Sequence, residues 1–209
     1  MKTFVIHGVY DSYTLRTLKS MGLRDFAFDL RARSLNFIPL RDLNLILSEL
    51  SQTDRTFLTF ENDRIETIFS ILDILKNNPR SFDLIFRDNR PLTFYRELKK
   101  DFYWMFLPES DWKNILQLQN LKGVFLPLRY QASYQSLHEL WEMIDKKGLE
   151  VYLHSDNFEQ GLFTSLTNDV KFSLDLTAEV ETHYRSVDQV KLKSMKIWSK
   201  LNEGIAGQR

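Results

Sequence analysis

The chain has 209 residues, 28 Lys and Arg against 28 Asp and Glu, 43% hydrophobic residues and no cysteine. A formal net charge of zero provides no basic surface for nucleic acid or an anionic membrane, so neither is an expected partner. The lack of cysteine excludes disulfides, thiolate metal sites and cysteine nucleophiles. No segment reaches the ~20 apolar residues of a membrane span and no signal peptide is evident, which predicts a cytoplasmic protein.

In chain order, eight short apolar or β-branched runs predict strands. These runs are Thr3–Gly8, Asp25–Leu30, Thr56–Phe60, Phe82–Phe86, Phe102–Leu107, Gly123–Leu126, Glu150–Leu153 and Val170–Leu174. Between them, apolar residues three and four positions apart predict helices. The clearest helical stretches are Leu40–Leu50, Ile65–Leu75, Leu92–Leu98, Trp112–Leu118, Leu137–Ile144 and Val187–Leu201.

Strict alternation of eight strands with eight helices predicts parallel pairing through right-handed crossovers. We therefore expect an α/β protein with a single (β/α)8 TIM barrel formed by residues 1–209 as one domain. A doubly wound open sheet is the alternative. It usually has a glycine-rich turn after its first strand, and this chain has one glycine there, in His7-Gly8-Val9-Tyr10.

Barrel geometry predicts which side chains face the interior. Because strand residues alternate between interior and helix layer, Thr3, Val5 and His7 should point inward and Phe4 and Ile6 outward. The active site of this architecture lies at the carboxyl ends of the strands, where His7 ends the first one. In the helix layer, Trp141 and Trp198 fall among apolar neighbours at helical spacing, and both are predicted to be core contacts.

Motifs at these strand ends resemble phosphoribosylanthranilate isomerase, the (β/α)8 enzyme of tryptophan biosynthesis. The family's K-I-C-G, G-F-x-F, S-x-R-Y-I and F-x-N motifs have counterparts here in the same order. These are Val5-Ile6-His7-Gly8, Asp25-Phe26-Ala27-Phe28, Ser34-Leu35-Asn36-Phe37-Ile38 and Phe60-Glu61-Asn62. The family's D-V-S-S-G-V-E motif aligns without a gap to Asp175-Leu176-Thr177-Ala178-Glu179-Val180-Glu181. The resemblance covers nearly the whole chain.

The resemblance implies an Amadori rearrangement, which needs a general base, a general acid and anchors for phosphate and carboxylate. Most of the positions with these roles are replaced. His7 stands at the base, Pro127 at the acid and Asn36 at the arginine that anchors the carboxylate. The phosphate turns become His154-Ser155-Asp156 and Thr177-Ala178-Glu179, where Glu179 places a negative charge near the expected phosphate. One such like-charge pair costs about 3 kcal/mol at ~5 Å and an effective dielectric constant of ~20.

These replacements predict a diverged homologue without isomerase activity, a pseudoenzyme that acts as a small-anion-binding, regulatory or scaffold barrel. The predicted ligand-binding residues are Arg33, Asn36, Arg129, His154, Ser155 and Thr177. The alternative is an active isomerase, or a related sugar-phosphate isomerase, with His7 as general base and Asp175 or Asp29 as acid. In that case His7 and Asp175 are the catalytic residues. No cofactor is expected, and the protein should be a monomer or homodimer.

Two further interpretations of these residues remain open. His7 can be a hydrogen-bonded space-filling residue, or it can join His154 and His183 in a divalent metal site, because barrel closure brings their strand ends together. Arg31, Arg33, Arg87 and Arg129 can bind a carboxylate or phosphate. Otherwise they are loop arginines paired with Asp29, Asp88 or Glu61.

Overall fold

The computed structural model describes residues 4–127, 134–155, 171–176, 181–183 and 185–194. Eight parallel strands form a closed barrel, in which each strand pairs with the next and β8 pairs with β1. The barrel strands are β1 Phe4–His7, β2 Asp25–Asp29, β3 Arg55–Phe60, β4 Asp83–Phe86, β5 Phe102–Met105, β6 Leu121–Pro127, β7 Glu150–Ser155 and β8 Lys171–Asp175. The predicted (β/α)8 barrel is confirmed, and the doubly wound alternative is wrong.

Helices fill the connections between the strands. They are α1 Ser12–Ser20, α2 Leu40–Leu47, α3 Ile65–Leu75, α4 Leu92–Leu98, α5 Trp112–Ile115, α6 Tyr134–Lys147 and α7 Gln189–Ser194. Local sequence explains several boundaries. Asp11 caps α1 by accepting a hydrogen bond from the Thr14 backbone N–H at 2.7 Å. The connection between β7 and β8, predicted to be helical, lies outside the described residues.

A two-stranded antiparallel sheet follows β8 and has no counterpart among the predicted strands. Its strands are β9 Glu181–His183 and β10 Ser186–Val187, with Arg185 in the turn at φ 56°. Val187, predicted to begin the last helix, therefore lies in β10, and α7 begins at Gln189.

The barrel interior holds one buried cluster, separate from the core between strands and helices. The interior members are Val5, Ala27, Phe57, Ile85, Tyr103, Met105, Phe125 and Tyr152. Phe4 and Ile6 belong to the outer core, so the predicted alternation is confirmed from Phe4 to His7, whereas Thr3 lies outside the described residues. Trp141 was predicted to be a core contact, but it is 41% exposed on α6, so that prediction is wrong. Trp198, predicted in the same way, lies outside the described residues.

Among the helices of the described ranges, none is long and apolar enough to cross a membrane. A surface cavity of about 570 Å³ lies between the ends of α4 and α5, on the amino-terminal side of the barrel. The predicted catalytic side chains lie at the opposite side.

Candidate functional site

His7 ends β1 at the carboxyl side of the barrel and is 2% exposed. Its ring contacts Phe125 and His154 edge-on, with ring centroids 5.1 Å apart in both pairs. Neither ring nitrogen of His7 has a hydrogen-bond partner among the described residues. Burial lowers the pKa of His7 well below its ordinary value, although the Asp175 charge acts in the opposite direction. His7 is therefore a neutral imidazole at physiological pH.

His154 lies next to His7, on β7, and is also buried. Its Nδ1 is 2.9 Å from Ser173 Oγ on β8, so one ring nitrogen is hydrogen-bonded. Its Nε2 has no hydrogen-bond partner in the described part of the chain and is 3.6 Å from Asp175 Oδ2. The strand register accounts for this arrangement, because His154 pairs with Ser173 and His7 pairs with Asp175.

Asp175 ends β8 and forms an ion pair with Arg87, which follows β4. Arg87 Nη1 donates to both carboxylate oxygens, at 3.0 and 2.9 Å. Burial alone would raise the pKa of Asp175, but the Arg87 guanidinium and the neighbouring His154 hold it well below its usual range. The carboxylate is therefore ionised, and it accepts hydrogen bonds but has no proton to donate.

A second ion pair joins Asp29, at the end of β2, to Arg31. Arg31 Nε and Nη2 donate to the two oxygens of Asp29 at 2.8 and 2.6 Å, and Arg31 Nη1 reaches Glu61 Oε2 at 3.3 Å. All three guanidinium nitrogens of Arg31 are thus occupied. The interpretation of Arg31 as a loop arginine paired with Asp29 and Glu61 is confirmed.

Asn36 joins the loop after β2 to the end of β8. Its Nδ2 donates to the Leu176 backbone oxygen at 2.8 Å. The same amide lies against Gly8, which has φ +78° and would place a Cβ 2.5 Å from Asn36 Nδ2. Asn36 therefore has a structural contact at the position that the resemblance assigns to a carboxylate anchor.

The structure brings three of the predicted site residues together, namely His7, His154 and Asp175. Ser155 is buried at the end of β7. Arg33 is exposed on the loop after β2 and makes no contact with this group. Arg129, Thr177 and Glu179 lie outside the described residues, as does the side chain of His183.

The metal interpretation has no support in the described residues, where no group of three His, Asp or Glu side chains has the arrangement of a metal site. Because the His183 side chain is not among them, the three-histidine set itself stays untested.

One contact and one residue of the site were missed by sequence reasoning. The Arg87–Asp175 pair was not foreseen, because β4 and β8 are half a barrel apart in strand order. Ser173 was also missed, although strand alternation gives the signal. It lies two positions before Asp175 and therefore on the same inward face.

The chain superposes on a solved phosphoribosylanthranilate isomerase in complex with reduced 1-(o-carboxyphenylamino)-1-deoxyribulose 5-phosphate. The TM-score is 0.69 at 16% identity, with 98% of this chain and 100% of that chain covered. The chain has the fold of phosphoribosylanthranilate isomerase. Monomers of the dimeric phosphoribosylanthranilate isomerase from Thermotoga maritima give a TM-score of 0.68 at 17% identity, with the same coverage. TrpF from Jonesia denitrificans gives 0.62 at 10% identity, with both chains covered completely.

No protein-family model matches the sequence, and no curated protein is significantly similar to it. The likeness is thus one of fold, extending over the full length of phosphoribosylanthranilate isomerase.

Proposed function

We propose that this chain is a diverged phosphoribosylanthranilate isomerase homologue that binds a small anion at the carboxyl ends of the barrel strands and does not catalyse the isomerisation. The full-length likeness in fold and the motifs that follow in the family's order support descent from that family. The charge state of the site supports loss of the reaction.

The observation that carries this proposal is the pairing of both candidate acids. The resemblance implies that an acid must protonate the ribose ring oxygen while a base removes a proton from C2. Asp175 is held ionised by Arg87, and Asp29 accepts two hydrogen bonds from the Arg31 guanidinium and one from the Arg31 backbone N–H. The position of the family's acid is Pro127, at the end of β6. Loss of a positioned acid costs on the order of 10²–10⁴ in rate.

A binding role is supported by Arg87 at this end of the barrel. Its guanidinium group lies beside the strand ends, and its side chain is 17% exposed. The superposed isomerase holds a ligand that bears both a carboxyl and a phosphate group. A smaller or differently placed anion is the ligand class that suits this chain.

Incubation of the purified protein with phosphoribosylanthranilate tests the proposal, with product formation followed by chromatography. We expect no product above the uncatalysed rate even at high protein concentration. Isothermal titration with the reduced product analogue, inorganic phosphate and benzoate should show saturable binding of at least one of them. Turnover that disappears in His7→Ala would contradict the proposal.

A second candidate is an isomerase that uses His7 as its base. The observation that favours it is the neutral His7 ring, whose nitrogens have no hydrogen-bond partner among the described residues. In that case turnover should stay constant from neutral to mildly acidic pH, because His7 keeps its free base form below its ordinary pKa. The pH profile of any turnover, compared with that of His7→Ala, separates this candidate from background hydrolysis.

A further inference from the structure

The cavity between the ends of α4 and α5 lies on the opposite side of the barrel from the strand-end site of His7, His154 and Asp175. Its volume of about 570 Å³ is within the range of small-molecule sites. Among the described residues that line it, none is Asp or Glu, and most are cations or carboxamides. These are Arg96, Lys99, Asn114, Gln117, Gln119 and Asn120. The cavity therefore suits a polar ligand that carries negative charge.

Helix α4 directs both cations to this cavity. Leu92, Arg96 and Lys99 are separated by four and three positions, which places them on one face of the helix. Glu97 follows Arg96 at a rotation of about 100° around the helix axis, and so it lies on another face. Arg96 and Lys99 are one turn apart, which is close enough for a single phosphate-sized group to contact both.

Neither cation has a partner within the described part of the chain, where the side chains of Arg96 and Lys99 make no ion pair or hydrogen bond. The end of α4 does not need them as caps. Asn120 Nδ2 donates to the backbone oxygens of Tyr95 and Lys100 at 2.8 and 3.0 Å. These contacts satisfy carbonyl groups at the end of the helix, so both cations remain available to a ligand.

The charges that border the cavity leave it positive. Asp111 contacts the lining, because Asn114 Nδ2 donates to its Oδ2 at 2.7 Å. Lys147 offsets this charge and donates to a backbone oxygen of the lining at 3.0 Å. Asp101, which follows α4, forms an ion pair with Lys122 at 3.1 Å. The two cations of the lining therefore leave about two positive charges to attract an anion.

The backbone at Lys99 is unfavourable for a lysine. This residue is the C-cap of α4 and has φ 48° and ψ 25°, in the left-handed region. Glycine is the residue that usually ends a helix in this conformation, because a side chain raises its energy. Residues held in such conformations cluster at functional sites. Lys99 gives the helix no conformational benefit over glycine, but it provides a charge to the cavity.

We propose that this cavity binds a phosphate monoester that carries hydroxyl groups, the chemistry of a sugar phosphate. The phosphate group, with about 1.5 to 2 negative charges at pH 7, contacts Arg96 and Lys99 together. The carboxamides of Gln117 and Gln119 present both donors and acceptors, which match the hydroxyl groups. This inference does not rest on the function proposed for the strand-end site.

Isothermal titration of the full chain with glucose 6-phosphate and with glycerol 3-phosphate tests the inference. Inorganic phosphate and glucose are the matched probes, because each lacks one half of the proposed ligand. We expect saturable binding of at least one ester. Its affinity should exceed that of inorganic phosphate and of glucose at least about tenfold, the difference expected when one charged or hydrogen-bonded contact set is missing.

Variants on one face of α4 locate the binding. Arg96→Gln and Lys99→Gln should each lower the affinity for the ester at least about tenfold, because each removes a charge-assisted contact. Lys100→Gln is the matched control, since Lys100 is the next residue, is exposed and is not part of the lining. Lys99→Gly should lower the affinity while it raises the urea midpoint of unfolding. Opposite changes in these two measurements separate a binding role from a structural one.

Loss of ester binding in Arg96→Gln and Lys99→Gln, with binding retained in Lys100→Gln, supports the inference. Unchanged binding in the first two variants overturns it, and loss in Arg87→Gln would then assign the ester to the strand-end site. Inorganic phosphate that binds as tightly as both esters overturns the proposed ligand class. If neither ester binds at millimolar concentration, the inference fails and the function proposed for the strand-end site is unaffected.

Discussion

At the scale of single residues, His7 stands out because it combines burial with two ring nitrogens that have no partner among the described residues. A buried polar group without a partner costs about 1–3 kcal/mol. Groups retained at such a cost are typical of functional sites, where binding satisfies them. His154, which is equally buried, has the Ser173 hydroxyl as a partner and does not share the full cost.

Replacement of His7 by leucine should therefore leave the free energy of unfolding at pH 7 unchanged or raise it by about 1 kcal/mol, because an unpaired polar group is removed at similar volume. His154→Leu is the matched control and should lower it by about 1–2 kcal/mol, since the Ser173 hydroxyl loses its partner. Urea unfolding monitored by circular dichroism measures both. If His7→Leu lowered the free energy of unfolding as much as His154→Leu, the interpretation of His7 as an unpaired buried group would be contradicted.

The pH dependence of stability gives an independent check on His7. The pKa of His7 is lower in the folded than in the unfolded chain. Its contribution to the free energy of unfolding is therefore fully present above about pH 6.5 and is lost as the pH falls further. The parent chain should lose up to about 1.4 kcal/mol per pH unit from this residue below that pH. In His7→Leu, the free energy of unfolding should fall less steeply as the pH decreases. An identical pH profile in both proteins would contradict a lowered pKa of His7.

Gly8 fixes the backbone beside the site. Alanine at Gly8 would keep φ at +78° and place its Cβ against the Asn36 amide, so Gly8→Ala should lower the free energy of unfolding by about 2–3 kcal/mol. Gly22→Ala is the control, because Gly22 has φ +88° and open space around its Cβ position. It should cost only about 1 kcal/mol. Urea unfolding measures both variants. An equal decrease in their free energies of unfolding would show that the contact with Asn36 adds nothing to the cost of alanine at Gly8.

At the scale of elements, the hairpin of β9 and β10 is joined to the barrel through Tyr10. The Tyr10 hydroxyl donates to Glu181 Oε1 at 2.8 Å, in a buried contact across 171 residues of sequence. The Arg185 guanidinium carbon lies 5.3 Å from the centroid of the Tyr10 ring, and Arg185 Nη2 donates to the Phe37 backbone oxygen at 2.7 Å. The hairpin is thus held against the loops that follow β1 and β2.

Removal of the Tyr10 hydroxyl should weaken this attachment. Tyr10→Phe leaves the buried Glu181 carboxylate without its hydrogen-bond donor and should lower the free energy of unfolding by about 1–2 kcal/mol. Tyr13→Phe is the control, because Tyr13 is 59% exposed on α1, and it should have no measurable effect. Hydrogen exchange of the β9 and β10 amides should also become faster in Tyr10→Phe alone. Equal exchange in both variants would contradict the role of this contact.

The elements also show how far the sequence predicts this fold. All eight barrel strands were predicted, because each is a short apolar run and strand periodicity is a local property. The hairpin was not, because its stability comes from Tyr10 and the loop after β2, which are distant in sequence. Trp141 was wrongly predicted to lie in the core, because helical spacing shows which residues share a helix face but not how deeply that face is buried.

The candidate site was predictable only in part, for the same reason. Barrel closure places the ends of β1, β7 and β8 together, and so His7, His154 and Asp175 were expected to be neighbours. The pairing of Asp175 with Arg87 depends on a side chain that reaches across the barrel from the end of β4. That pairing decides the charge state of the carboxylate, and no local pattern signals it.

At the scale of the whole molecule, the two ends of the barrel hold different polar groups, a network around Arg55 at the amino end and two buried histidines at the carboxyl end. At the amino end, Arg55 donates to Asp83 Oδ2 at 2.8 Å, to the Tyr152 hydroxyl at 2.7 Å and to the Tyr103 hydroxyl. Glu150 accepts from Arg55 and Lys171. At the carboxyl end, by contrast, three imidazole nitrogens have no partner among the described residues. In this architecture generally, the active site lies at the carboxyl end of the barrel and the amino end contributes to stability.

Arg55→Met should accordingly destabilise the whole barrel. Asp83, Glu150 and the two tyrosines would lose the hydrogen-bond donor that they share. Because these groups are partly exposed, we expect the free energy of unfolding to fall by about 2 kcal/mol. Arg41→Met, which removes an exposed arginine, should leave the free energy of unfolding nearly unchanged. Thermal and urea unfolding measure both. A loss in Arg55→Met no greater than in Arg41→Met would contradict the structural role of this network.

The same network predicts acid sensitivity. Burial alone would raise the pKa of Glu150, but the hydrogen bond from Lys171 and the Arg55 charge lower it to about 2. Its contribution to stability is therefore present above about pH 4.5 and is lost as the pH falls toward 2. Glu150→Gln should flatten the stability profile in this range, and an unchanged profile would argue against the ion pairs.

The charge state of Asp175 decides whether the barrel keeps an acid for isomerisation, and a carbon-13 NMR titration of its carboxyl group, assigned with Asp175→Asn, measures it directly. We predict that this carboxyl group stays ionised through the pH range in which ordinary aspartates take up a proton, and that Arg87→Gln returns its titration toward that range. Proton uptake by Asp175 near neutral pH in the parent chain would contradict the account, because the site would then hold a general acid beside His7.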